Sequence, residues 1–239
     1  MAGPAASAGP GWRVAVAGAS GLIGRALVAA LAADARVAVV HALLRRPLTD
    51  AAWAAAPAGR IQPLIADPLR LGQPDGPALP ALDLAFCALG TTIKTAGSQA
   101  AFRAVDLDAV LAFAGAARAA GARRFGLVSA LGADARSAVF YNRTKGQAEQ
   151  GLRAMHWPRL VIARPSLLLG DRQALGQPTR RGEWLAQRLM PALGGLLPGK
   201  LRPIRAETVA RALQHTLLDE DSHPPLRVLE SDALQRLGA

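Results

Sequence analysis

The sequence predicts a doubly wound α/β fold: a mostly parallel sheet with helices on both faces and a small C-terminal substrate-covering region. Apolar runs rich in Val, Leu, Ile and Ala recur with helical stretches between them, the pattern of βαβ units whose strands are buried on both faces. The first of these runs, WRVAVA, leads through glycines at 18, 21 and 24 into the apolar stretch LIGRALVAALA. No repeat or low-complexity linker divides the 239 residues, 51% hydrophobic and 19% charged, so one domain over 1–239 is expected.

Taken in order, the Ala/Gly/Pro-rich residues 1–10 read as a loose tail, and WRVAVA (12–17) as the first strand, followed by a helix over 22–33. RVAVVHAL (36–43), IQPLIA (61–66) and DLAFCAL (83–89) supply three further strands. A long helix over 98–120 ends in RAAGARR, where Gly121 suits the position after the helix and the arginines suit its negative end. RFGLVS (124–129) is the fifth strand, a helix over 138–155 follows, and RLVIAR (159–164) is the sixth strand. Residues 171–203 break the alternation with Gly, Pro and an amphipathic helix over 181–192, where a small cap would sit. A helix over 206–218 and a strand at 226–230 close the chain.

The net charge of +11 suits nucleic acid, an anionic membrane surface or an anionic ligand. The arginines are scattered, with pairs at Arg45-Arg46, Arg123-Arg124 and Arg180-Arg181 but no basic helix or aromatic-interleaved stripe, so no nucleic-acid partner is expected. The single cysteine, Cys87, rules out an internal disulfide. The N-terminus lacks a basic region followed by an apolar one, and no stretch of about 18 uncharged apolar residues occurs. The expectation is a soluble cytoplasmic protein without membrane insertion, monomeric or homodimeric.

VAVAGASGLIG (14–24) carries the first chemistry. A strand, a glycine-rich turn and a helix N-terminus make a dinucleotide site of Rossmann type. Gly18 permits the tight turn, Gly21 lets backbone approach a pyrophosphate, and Gly24 lets the helix pack on the strand. The end of the second strand selects the nucleotide. An acid there would accept from the ribose 2′-hydroxyl, whereas HALLRRP offers Arg45 and Arg46, which suit a 2′-phosphate. The cofactor expected is therefore NADP(H) rather than NAD(H). Asp67, after the third strand, is a candidate for the adenine edge, and a capping role explains it equally well.

FYNRTKG (140–146) places the only tyrosine, Tyr141, four residues before one of three lysines, Lys145. On a helix the two share a face about 5–6 Å apart. With Ser129 at the end of the fifth strand, this arrangement resembles the short-chain dehydrogenase/reductase superfamily over nearly the whole chain. CALGTT (87–92), SALGAD (129–134), YNRTKG (141–146), RPSLLLGDRQ (164–173) and RGEWLA (181–186) are similar to the atypical subgroup of Tat-interacting-protein-type oxidoreductases.

The resemblance implies a carbonyl reductase or alcohol dehydrogenase acting on a small molecule. Reducing a carbonyl with a nicotinamide hydride develops negative charge on oxygen, which must be stabilised and protonated. Tyr141 would be the proton donor, Lys145 would favour the phenolate and bind the nicotinamide ribose, and Ser129 would hold the substrate oxygen. Ser20, Leu22 and Ile23 of the glycine turn, Leu89 and Gly90 of CALGTT, and Pro165 and Ser166 after the sixth strand would line the cofactor. The asparagine many members carry before the fifth strand has no match: AVDLD places Asp106 and Asp108 there, which puts a proton relay through that position in doubt. The chain is also short beside the sugar-nucleotide epimerases of the extended group.

Other residues read structurally. Cys87 lies in an apolar strand with nothing beside it to favour the thiolate. His41, His156, His215 and His223 show no ligand spacing, so no metal is expected. Trp184 would pack on the cap helix or line a pocket. The alternative to an enzyme is a regulator that senses NADP(H) and binds a protein partner without turnover.

Overall fold

The computed structural model describes residues 11–48, 53, 56–169, 198–219 and 224–239. The tail at 1–10, most of the expected cap with its helix at 181–192, Trp184 and His223 lie outside the described residues.

Seven parallel strands form one sheet in the order β3-β2-β1-β4-β5-β6-β9. They are β1 (Trp12–Ala17), β2 (Val37–Leu44), β3 (Ile61–Ile65), β4 (Leu84–Cys87), β5 (Arg124–Val128), β6 (Arg159–Arg164) and β9 (Leu226–Glu230). A separate pair, β7 (Leu168–Leu169) and β8 (Ile204–Arg205), which the sequence pattern does not signal, follows the sixth strand. The helices are α1 (Leu22–Ala33), α2 (Ile93–Ala96), α3 (Gln99–Arg103), α4 (Ala109–Ala119), α5 (Phe140–Ala154), α6 (Ala206–Leu218) and α7 (Ser231–Leu237). The long helix expected over 98–120 is present as α3 and α4, but a π-helical turn, Ala104–Asp108, joins them. Gly121 closes it as expected, with a left-handed φ of 98°.

Period-2 alternation sends each central strand into two cores. Val14, Val16, Leu84, Phe86, Val161 and Ala163 face α1 and α6, while Ala15, Ala17, Ala85, Cys87, Leu160 and Ile162 face α4 and α5. In the second core Phe113, Phe125 and Trp157 stack in sequence, with centroids 6.0 Å and 4.8 Å apart. Because β1 is flanked by β2 on one side and β4 on the other, the connections diverge there. The crevice at the carboxyl ends of β1 and β4 is where such a sheet takes its ligand.

Asp34 fastens the other end of α1. Its carboxylate accepts from the Arg36 side chain at 3.0 and 2.7 Å, from the Arg36 N–H at 2.9 Å and from the Gln214 amide of α6 at 2.9 Å. The Arg36 bonds, against the opposing effect of burial, hold the Asp34 carboxyl at about 2, below its ordinary 3.8. A depressed carboxylate stabilises the fold above its unfolded value and stops doing so as pH falls through its folded one. Asp34→Asn is therefore expected to lower stability at pH 7 by roughly 1–2 kcal/mol, and the gap to the parent protein should close between about pH 4 and pH 2 in urea unfolding.

Candidate functional site

The site begins where β1 turns into α1. Gly18 has a φ of 78°, and a Cβ there would lie 2.5 Å from the Ala88 carbonyl, so the turn rests directly on the loop after β4. At Gly24 a Cβ would fall 2.0 Å from the Gly18 carbonyl oxygen, which fixes glycine at the place where helix and turn touch. A Cβ on Gly21, by contrast, would meet only the Gly18 oxygen, at 3.3 Å. Gly21 is the residue before α1, no side chain caps the helix, and its first turn carries no acid. Uncapped amides at a positive helix end are the preferred seat of a phosphate. Ser20 is exposed in the turn, Leu22 is half-buried and Ile23 packs into the core.

Arg45 and Arg46 follow β2 immediately, both exposed, at the carboxyl end of the strand beside β1. Neither pairs with a carboxylate among the described residues. Asp67 serves as a cap: its carboxylate accepts the Leu69 N–H at 3.0 Å at the start of the 3-10 turn Pro68–Arg70.

The loop after β4 leads from Leu89 to Gly90 and there meets α5. Tyr141, Lys145 and Glu149 follow one another at i, i+4 and i+8 on one face of α5, the latter two buried. Gly146 permits this seating, since a Cβ there would fall 2.1 Å from the Ala135 amide in the loop after β5. The Tyr141 ring lies 5.5 Å from the fully buried Phe102 ring of α3.

Beneath Gly90, Lys145 Nζ lies 2.8 Å from Asp106 Oδ1, with side-chain exposures of 6% and 0%. The approach is a contact of charge rather than an aligned hydrogen bond, and it leaves Asp106 Oδ1 without an aligned donor. The other oxygen, Oδ2, accepts the Thr91 N–H at 2.9 Å. Burial works to strip the Lys145 proton, but the Asp106 carboxylate, aided by Tyr141 and Cys87, outweighs it and raises the lysine above its ordinary value. Cys87 is buried, and burial pushes its thiol up to about 12. The expectation that nothing near it favours the thiolate needs correction, because the Leu89 N–H and the Lys145 charge both do so, and burial prevails.

Three of the expected site residues have partners within the protein. The Ser129 hydroxyl, expected to hold a substrate oxygen, is buried and donates to Glu149 Oε1 at 2.6 Å. Glu149 is held in turn by Arg164 at 2.9 and 2.7 Å, and Arg164 reaches Glu230 of β9 at 3.2 Å. Buried carboxylates gather donors in this way, and Ser129 is one of them. Ser166, expected at the cofactor, donates to the Arg202 carbonyl and accepts from Ser231 at 2.9 Å. Pro165 is buried, and its carbonyl takes the Leu131 N–H at 3.0 Å.

Asp106 is the site residue that the sequence reading undervalued, treating it as a missing asparagine. Its signal was available: Phe102, Asp106, Val110 and Phe113 follow a helical stripe, and an acid on a buried stripe needs a cation. Glu149 on the stripe of Lys145 and Leu152 carries the same signal.

A dinucleotide fits the residues present. The uncapped amides of α1, the open face of Gly21, and Gly90, exposed with no Cβ over the Asp106–Lys145 pair, all follow the carboxyl ends of the neighbouring strands β1 and β4. Fold and site together define a dinucleotide-binding protein of the short-chain dehydrogenase/reductase superfamily. The chain belongs, more particularly, to the family described as NAD(P)H-binding, whose model matches residues 18–181.

Its relatives include Protein HTATIP2 of Rattus norvegicus, 37% identical over 163 residues, a match covering 68% of this chain and 64% of the rat protein. The chain thus spans slightly less than two thirds of that relative. Protein fmp52, mitochondrial, of Emericella nidulans is 33% identical over 182 residues, 76% of each chain. Among solved structures, MoeE5 in complex with UDP-glucose and NAD superposes with a TM-score of 0.66 at 21% identity, covering 91% of this chain and 75% of that one. That likeness shows the fold. The cytoplasmic expectation is overturned, because several of the matched fungal proteins are named mitochondrial. Among the described residues, no helix is long and apolar enough to cross a membrane.

The contact at Gly24 gives this site a stability signature. Gly24→Ala places a methyl against backbone that cannot swing aside, and is expected to cost about 1–3 kcal/mol in urea unfolding while weakening nucleotide binding.

Proposed function

We propose that the protein is an NADP(H)-dependent oxidoreductase acting on the carbonyl or alcohol of a small molecule. The observation that carries this reading is the placement of Tyr141 one helical turn from a buried, charge-paired Lys145, under Gly90 of the loop against which the glycine turn rests. The cofactor, when bound, supplies or takes up the hydride. In the reducing direction Tyr141 gives its proton to the developing alkoxide, and Lys145 stabilises the phenolate left behind. Phe102 fixes the phenol ring, and the paired side chains exclude water beneath it. Arg45 and Arg46 supply positive charge where a 2′-phosphate would lie.

A second reading, an NADP(H)-sensing regulator with a protein partner and no turnover, is favoured by one observation. Ser129, the expected third member of the catalytic set, spends its proton on Glu149. The oxidoreductase reading requires the substrate oxygen to be held without Ser129, or Ser129 to change partner.

Titration followed by nicotinamide fluorescence is expected to show tighter binding of NADPH than of NADH, and Arg45→Ala should remove at least part of that preference. Equal affinities unaffected by Arg45→Ala would sink the NADP assignment. With aldehydes, ketones and quinones as substrates, Tyr141→Phe is expected to keep NADPH affinity and lose turnover by about 100-fold or more. Tight NADPH binding with no turnover across that panel would favour the sensor instead.

A further inference from the structure

The ion pair under Gly90 is unusual for where it stands. An ammonium at 6% exposure is cut off from the water that would hold its proton, and burial alone drives such a lysine toward the neutral amine. What opposes this is a carboxylate that is itself fully buried and fixed from two directions. Within the π-helical turn Ala104–Asp108, Asp106 is buried while Asp108 remains exposed, and the Thr91 N–H holds Oδ2 at 2.9 Å. The Thr91 bond also ties the carboxylate to the loop that carries Gly90, so the pair, the loop and α5 are joined at one point. A Cβ on Gly90 would lie 3.4 Å from Asp106 Oδ1 and 3.5 Å from Lys145 Nζ, so the pair sits directly below that exposed residue.

We propose that Asp106 is a positioning residue of the site: its carboxylate, locked by the π-helical turn and Thr91, keeps Lys145 charged and held beside Tyr141 in a place water does not reach. Among the described residues, the titratable groups acting on Lys145 are Asp106 from the π-helical turn, Tyr141 from its own helix and Cys87 from β4. Burial raises the Cys87 thiol, and Asp106 is the one of the three whose carboxylate touches the ammonium, at 2.8 Å. The proposal rests on the oxidoreductase reading for its purpose, since a charged lysine matters there because it favours the phenolate.

The composition allows a direct test without substrate or cofactor. The chain has three lysines, and the other two, Lys94 and Lys200, are exposed. Protein labelled with 13C at lysine Cε therefore gives three resonances whose pH titrations can be followed separately by NMR. In the parent protein the Lys145 midpoint is expected above those of Lys94 and Lys200. In Asp106→Asn, which keeps the volume and an acceptor for Thr91, it is expected to fall below them by at least about one pH unit. A Lys145 midpoint at or below the exposed lysines in the parent protein, or one at or above them in the folded variant, overturns the proposal. If the variant does not fold, the parent titration alone decides. Failure of the oxidoreductase reading would show in the turnover assays and leave this titration untouched.

Discussion

The meeting of backbone with backbone at Gly18 and Gly24 is the constraint on which the rest is built. Two segments of chain approach to a distance at which a single methyl group has no room, and a third, the loop after β4, lies against the same turn. That contact sets the angle at which α1 leaves the sheet and points its free amides along the carboxyl edge. It also fixes the start of the loop whose later residues reach the Asp106–Lys145 pair. The free amides of α1 and the Asp106–Lys145 pair are thus tied to one turn by main-chain contact. Main chain has fewer ways to adapt than side chains, which suits a site that must present fixed dipoles to a charged ligand.

A line of charge runs along α5 on the inner side of the sheet's carboxyl edge. Among the described residues Lys145 pairs with one carboxylate and Glu149 with several donors, and the two groups are kept separate by a turn of helix. The Glu149 set joins β5, α5, β6 and β9 through Ser129, Arg164 and Glu230, and so secures the half of the sheet away from the glycine turn. The division explains why two serines that match a familiar pattern in sequence serve different ends in space. Ser129 and Ser166 stand at strand ends, where unpaired backbone and buried carboxylates compete for every hydroxyl.

The strands were legible because a parallel sheet buried on both faces needs continuous apolar runs, and these were plain from Trp12–Ala17 to Leu226–Glu230. The glycine turn was legible because its geometry admits one residue type. Tyr141 and Lys145 stood out through rarity and spacing. Asp106 was harder, because a carboxylate in a helix is ordinarily solvated, and only its place on an apolar stripe betrays it. The Ser129 contact could not be read at all, since its partner lies 20 residues away in the sequence. Short elements such as α2, α7 and the β7-β8 pair fall below the length at which periodicity speaks.

The π-helical turn at Ala104–Asp108 has a consequence for how this chain can vary. A turn closed between i and i+5 holds one residue more than a regular α-helical turn, so the helical wheels on either side are out of step with each other. Removing any one residue from the segment would let α3 and α4 merge into a single regular helix, with better-satisfied backbone and, locally, a happier fold. The price would be a rotation of about 100° between Phe102 and the Asp106 position on one side and the α4 core residues on the other. The irregular turn is therefore a phase marker: single-residue deletions there would be silent in helix content and would show at the Asp106–Lys145 pair.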